Sequence, residues 1–296
     1  MNRDKLEKIG MKKTVVAAGL MIAASTMLFQ GFTETVTGAE FGKTSNVPAN
    51  DAAFFAVSSP ATPNRVPEGY VKENYTVRDI VSEYDLSQPP TGTDLSKEAA
   101  AEVGAQALWN LFGVNLEGQT IEMGYQPANE IVPRARWYAD VLIDGERRYT
   151  FSVDSVTGKK LTIGVARVLD VNVSVSFDPA LGKDPGEFVA LAKQLAEKYG
   201  VVHGAVQSAQ YAGQGYSNND PTISVEISGE NGEVALMTFS RYDRSLLGIS
   251  YPPEYKSVRD YGEKLLQRVR KKIQEQEMPD SGDDKAAPVL RGIDLD

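Results

Sequence analysis

Residues 135–143 (ARWYADVLI) and 146–153 (ERRYTFSV) flank the dipeptide Asp144-Gly145. Two β-rich runs joined by Asp-Gly predict an antiparallel hairpin, because a two-residue type I′ turn needs positive φ at both central positions. With that loop, Leu142 faces Arg147, Val141 faces Arg148 and Asp140 faces Tyr149. Arg147 and Arg148 then point to opposite faces of the sheet. Asp154 to Gly158 makes the next turn and Lys159–Val165 the next strand. On the other side, a strand near Gln119–Tyr125 precedes a loop holding Pro127 and Pro133.

A helix leads into this sheet. Asp94 or Ser96 is its cap, Glu98 sits in the first turn, and Ala99, Val103, Ala107, Leu108, Leu111 and Phe112 share a face up to Gly113. The plan then recurs. Asp184-Pro185 opens a second helix carrying Phe188, Leu191, Ala192, Leu195 and Tyr199 at helical spacing, and Gly200 ends it. Strands follow near Ala205–Tyr211, Thr222–Ile227, Val234–Arg241 and Leu246–Tyr251. Gly113 and Gly200 lie 87 residues apart, and Phe151-Ser152 and Phe239-Ser240 lie 88 apart. An offset held by both helix end and strand predicts a duplicated helix-then-sheet unit.

The expected fold class is therefore α+β: two similar modules, each a helix packed on an antiparallel sheet, plus a C-terminal helix. Val171, Val173, Val175 and Phe177 alternate with Asn172, Ser174 and Ser176, which predicts a half-buried strand between the modules. After Pro252-Pro253, Tyr255–Glu277 reads as a helix. Val258, Tyr261, Leu265, Val269 and Ile273 form its stripe, flanked by Lys264, Arg268, Arg270, Lys271 and Lys272. That stripe is expected to pack on the second sheet in preference to a membrane or a partner.

The N-terminus carries a different signal. Lys12-Lys13 precedes the uncharged apolar run Thr14 to Phe29, and polar sequence follows, as in a Sec-type secretion signal. Thr37-Gly38-Ala39 is a usable cleavage site, and Met11 a second candidate start. An uncleaved anchor within residues 14–32 is the competing reading, although the run is at the short edge for a span. Either way the body is expected to be extracellular or in the cell envelope. The organisation expected is 1–39 signal peptide or anchor, 40–93 Pro/Ser/Thr-rich spacer with a short ordered segment, and 94–177 first module and linking strand. Then follow 178–253 second module, 254–278 amphipathic helix and 279–296 acidic disordered tail. Tyr75 to Tyr84 reads as a short helix or strand, and Phe54-Phe55 is the only greasy spot of the spacer proper.

The 296 residues carry a formal charge of -9. The first 13 contribute +3, leaving -12 for the rest, which would repel phosphate backbones and excludes nucleic acid as the expected partner. Cysteine is absent, so disulfides, thiol nucleophiles, thiolate zinc sites and a lipid-anchored cysteine are excluded.

At Trp137–Leu161 (WYADVLIDGERRYTFSVDSVTGKKL) the chain resembles the PepSY domain. An aromatic strand, an Asp-Gly hairpin, a second strand, then Val-Asp-x-x-Thr-Gly-Lys and a third strand carry the likeness, and the preceding helix fits the same module. Ile223–Ile249 is PepSY-like in plan, with Tyr242-Asp243-Arg244-Ser245 in place of Asp154-Ser155-Val156-Thr157-Gly158. The resemblance implies a small α+β module of the kind found in protease propeptides and tandem bacterial envelope proteins. It implies a role in inhibiting or controlling a protein partner, often a peptidase. The family brings no shared catalytic residues.

The chemistry-bearing residues agree with a noncatalytic reading. His203, the single histidine, lies just past a helix end, and no Gly-x-Ser-x-Gly or Ser-x-x-Lys occurs. With one His and no Cys only oxygen ligands remain. The local candidates, Asn218-Asn219-Asp220 and Asp283-Asp284, lack EF-hand spacing and read as polar loop and tail. Glu226 and Glu233 on neighbouring strands are a candidate carboxylate pair, more simply an exposed strand face. Gly213-Gln214-Gly215 marks a hairpin loop. Arg134, Arg136, Arg147 and Arg148 crowd one hairpin but split between its faces. No catalytic, cofactor-binding or metal residue is assigned, and no cofactor is expected.

The function expected is an exported noncatalytic protein-binding or regulatory module, with a protein partner in the envelope and membrane contact only through an uncleaved N-terminal segment. The alternatives are a membrane-anchored extracytoplasmic sensor and a carboxylate-based cell-wall hydrolase.

Overall fold

The computed structural model describes residues 66–80, 89–129 and 133–277. The signal or anchor, Phe54-Phe55, Asp283-Asp284 and the acidic tail lie outside these residues. So do residues 81–84 of the Tyr75–Tyr84 segment and the side chains of Lys272 and Ile273. The fold is mixed α/β, with nine strands in one sheet and four helices among the described residues. In chain order these are β1 (Thr76–Asp79), α1 (Lys97–Phe112), β2 (Thr120–Gln126), β3 (Arg136–Ile143), β4 (Glu146–Asp154) and β5 (Lys160–Val165). Then come α2 (Pro179–Lys183), α3 (Gly186–Tyr199), β6 (Val206–Ser217), β7 (Asp220–Gly229), β8 (Val234–Ser240), β9 (Leu246–Ser250) and α4 (Glu254–Glu277).

The sheet runs β1-β2-β3-β4-β5-β9-β8-β7-β6. Its middle is the antiparallel pairing of β5 with β9, where Ile163 lies opposite Ile249 and Gly164 opposite Gly248. On either side of this seam the strands step outward in reverse chain order. All neighbours are antiparallel except β1, which adds to β2 in parallel. The turns leading into the two seam strands share a hydrogen-bond pattern. Gly158 N–H donates to the Asp154 carbonyl and Asp154 N–H to Lys159, while Arg244 N–H donates to Ser240 and Ser240 N–H to Ser245. Ser240, not Tyr242, thus occupies the place of Asp154, and the positive φ of Gly158 (69°) recurs at Arg244 (63°).

Helices α1 and α3 lie over one face of the sheet and share one continuous core. Leu108 and Leu111 of α1, Phe188, Ala192 and Ala196 of α3, and Ile121, Val141, Phe151, Ile163, Ile223, Val225, Met237, Phe239 and Ile249 of the sheet belong to it. Ser96 caps α1 by accepting from Ala99 N–H, and Gly113 and Gly200 end α1 and α3 in the left-handed conformation. The buried face of α1 includes Ala107, Leu108 and Leu111 as expected, but its remainder is Ala100, Ala101, Gly104 and Ala105. Ala99 is exposed, and Val103 and Phe112 are half-buried. Small residues won because the helix sits close to β4: a Cβ on Gly104 would lie 2.2 Å from Cζ of Phe151.

Four further expectations are corrected. The segment 166–178 is not a strand: each edge of β5 is already used by β4 and β9, so its alternation finds no ladder to join. The Asp144-Gly145 turn has both positive φ values (53° and 83°), yet a register shift follows Leu142–Arg147. Val141 therefore pairs with Tyr149 and Asp140 with Thr150, leaving Arg148 outside the register. Gly213-Gln214-Gly215 lies inside β6 beside a second such shift, and the hairpin loop is Asn218-Asn219. Residues 66–74, expected to be spacer, pack along α1: Tyr70 meets Trp109 edge to face at 5.9 Å, and Glu73 accepts the Leu116 N–H.

The start of α4 closes over the sheet face opposite α1 and α3. Tyr255 packs on Val234 and Leu236, and its hydroxyl donates to Glu226 at 2.7 Å. Arg136 of β3 forms a two-pronged buried pair with Glu254, at 2.8 and 3.0 Å. This pair ties the first strands of the sheet to the last helix.

Candidate interaction surface

The segment 166–178 is extended backbone fastened at intervals to the ends of β6, β7 and β8. Arg167 supplies the strongest fastening. Its Nε donates to Asp220 Oδ2 at 2.7 Å, and its two terminal nitrogens donate to both oxygens of Asp243 at 2.8 and 3.0 Å. Asp220, at the first residue of β7, is almost wholly buried, and its other oxygen accepts from Ser240 Oγ at 2.6 Å. Fork-shaped donors matched to carboxylates are the strong form of ion pair. They hold the Asp243 carboxyl well below the usual carboxylate range, with the Ser245 hydroxyl and N–H assisting, and raise Arg167 above its own.

Asn218 and Asn219 complete this end. The Asn219 amide accepts from Leu169 N–H and donates to its carbonyl, both at 2.7 Å, and Asn218 donates to the Arg167 carbonyl at 2.8 Å. At the other end Arg241 donates to the Ser176 carbonyl at 2.9 Å, and Gln214 brackets the Asp178 backbone at 2.8 and 2.9 Å. Every fastening is polar, and all but the Arg167 side chain's own spend backbone groups of the segment. Most of its large apolar side chains are left facing outward, Val168 at 66% and Phe177 at 63% exposed, while Leu169 and Val173 are half-buried. Val171, Val175, and the adjoining Tyr216 and Tyr242 are exposed too. Six of the ten large exposed hydrophobics among the described residues therefore belong to this one region. Scattered exposed hydrophobics are ordinary; a cluster on a pinned segment is the pattern of an interaction surface.

The residues singled out in the sequence fall into place around it. Asn218-Asn219-Asp220 is the fastening just described, with the side-chain oxygens of Asn219 and Asp220 spent on Leu169, Arg167 and Ser240. Gln214 of the Gly-x-Gly triplet is another fastening. Glu226 and Glu233 are not brought together: Glu226 accepts from Tyr255 and faces Arg259, while Glu233 accepts the His203 backbone N–H at 2.8 Å. His203 is exposed. The arginines separate as well: Arg134 faces Asp154, Arg136 holds Glu254, Arg147 faces Asp140 and Arg148 reaches Glu146. No helix of the described residues is long and apolar enough to cross a membrane. A hollow bordered by Tyr216, Thr222, Ser224, Thr238 and Leu247 measures about 20 Å³, the size of a single water.

Sequence reasoning missed Arg167, Arg241 and Asp243 as the residues that shape the surface. Arg167 meets carboxylates 53 and 76 residues away, and spacing carries no sign of that. Searches against family models, curated proteins and solved structures returned no match.

Proposed function

We propose that the chain is an exported, noncatalytic binding module built from two PepSY-like units, and that it docks on another protein of the cell envelope, with a peptidase as the leading class of partner. The observation that carries this reading is the set of outward apolar side chains Val168, Val171, Val175 and Phe177 on a segment whose backbone is pinned at both ends, at 167–171 and at 176–178. A pinned segment has lost its conformational entropy before it meets a partner, which raises the affinity of whatever docks there.

The two-unit reading draws support from the order of strands around the β5–β9 seam and from the matching turns at Asp154 and Ser240. One unit would comprise α1 with β2–β5, the other α3 with β6–β9. The strap between them would then be the element that duplication leaves over, free to serve binding. The export reading rests on Lys12-Lys13 and the apolar run that follows.

The test is affinity capture from native envelope extract with the wild-type chain and a Val175→Asp/Phe177→Asp variant, followed by peptidase assays on the captured fraction with and without added chain. The reading expects one dominant protein to be lost with the variant, and peptidase activity to fall when the wild-type chain is added back. Hydrolase activity of the purified chain, abolished by a single carboxylate substitution, would contradict it.

A further inference from the structure

The two ends of the sheet are finished differently. On one end β2 carries an added strand: β1 pairs in parallel with Thr120–Met123, and the Ile80 N–H extends the pairing to the Met123 carbonyl at 2.9 Å. Val77 packs against the core, and Arg78 grips Glu122 on β2. On the other end β6 holds the place that β2 holds, fourth out from the seam. Among the described residues nothing pairs with it on the side away from β7.

β6 is a poor candidate for a bare edge. It runs 12 residues, VQSAQYAGQGYS, without a charge or a proline. Natural edges of that length are usually protected by lysine, proline or a cover; here there are two register shifts, and α2 with the Asp178 backbone lies against only part of the strand. Main-chain groups along such a strand recruit an extended segment, as in strand addition generally.

The sequence beyond α4 contains a segment that matches the strand already used this way. Val77-Arg78-Asp79-Ile80 of the covered end has a counterpart in Leu290-Arg291-Gly292-Ile293. We propose that Leu290–Ile293 of the chain's own C-terminal tail adds along β6 in the place that β1 takes on β2. Reach permits it. α4 starts over β8, with Ala212 of β6 at the margin of the Val234–Leu236–Tyr255 cluster. A 24-residue helix carries the chain about 36 Å away. The 13 residues from Glu277 to Leu290 span up to about 43 Å, enough to return along it. The register favours it too: Gln210, opposite Glu226, stands where Glu122 stands opposite Asp140, so Arg291 would meet an amide acceptor where Arg78 meets a carboxylate. The proposal is independent of the strap surface and stands or falls without it.

The test is amide hydrogen exchange on the full chain and on a chain ended after Met278, with the amides of the β3–β4 hairpin as internal control. Deleting the tail is expected to speed exchange of a subset of residues 206–217 by about tenfold or more while the control stays unchanged. A synthetic 286–296 peptide should restore protection and a scrambled one should not. A Leu290→Asp/Ile293→Asp double variant of the full chain should reproduce the deletion without shortening it. Equal exchange in β6 with and without the tail would overturn the proposal. So would protection that fades on dilution, which would assign the edge to a second copy.

Discussion

The turns before β5 and β9 have the same backbone and face opposite duties. In the first, Ser155 is fully buried, donates its hydroxyl to Asp94 and bonds the backbone of Leu95, so the turn locks the entry to α1. In the second, Asp243 looks outward and clamps Arg167 of the strap. The first turn has become part of the core's scaffolding; the second has become a fastening for a surface. The first half of the sheet carries a close-packed helix of alanine and glycine and a covered edge. The second half carries the strap and the open edge.

Substitutions at four places would break or sharpen that contrast. The largest effect is expected at the join between halves. Arg136→Ala leaves the buried Glu254 carboxylate without its partner and should cost about 3–5 kcal/mol in a denaturant titration. Replacing both by methionine should recover most of that loss. Next, Gly104→Ala drives a methyl into the Phe151 ring and should cost about 1–3 kcal/mol.

The turn residues themselves should respond in opposite directions. Gly158→Ala puts a side chain in the left-handed region and should cost about 1 kcal/mol, whereas Arg244→Gly should gain up to about 1 kcal/mol. The Arg244–Glu187 ion pair lost in that exchange is exposed on both sides and offsets little. The smallest effect concerns pH. The carboxyl of Asp243 is held low by Arg167, so its contribution is complete above the unfolded carboxylate value of about 3.9 and is lost as pH falls through the depressed folded value. Amides of Leu169 and Asp178 should stay protected from pH 8 to about 4 and open only below that, as read by NMR exchange; in Asp243→Asn they should be more open throughout.

Much of the framework was legible because its signals are local. Asp144-Gly145 demands a type I′ turn, Ser96 a cap and Gly113 a stop, and eight of the strands lie where β-rich runs between turn residues predict them. Alternation misled at Val171–Phe177, because a period of two describes a strand's faces without supplying a neighbour. The Arg148 bulge was hidden because either register keeps the hairpin's turn. The candidate surface was not legible at all: Arg167, Asp220 and Asp243 meet only after the sheet is complete, and an exposed Phe177 looks the same in sequence as a buried one.

The account rests on the strap as the face that meets a partner, and site-specific photo-crosslinking in the native envelope tests that most directly. A photoreactive residue at Phe177 is compared with one at Val156, equally exposed but on the scaffolding turn. The account predicts one discrete cross-linked species from position 177, lost when Val175→Asp is added, and none from 156. Equal labelling from both positions, or none from 177, would contradict it.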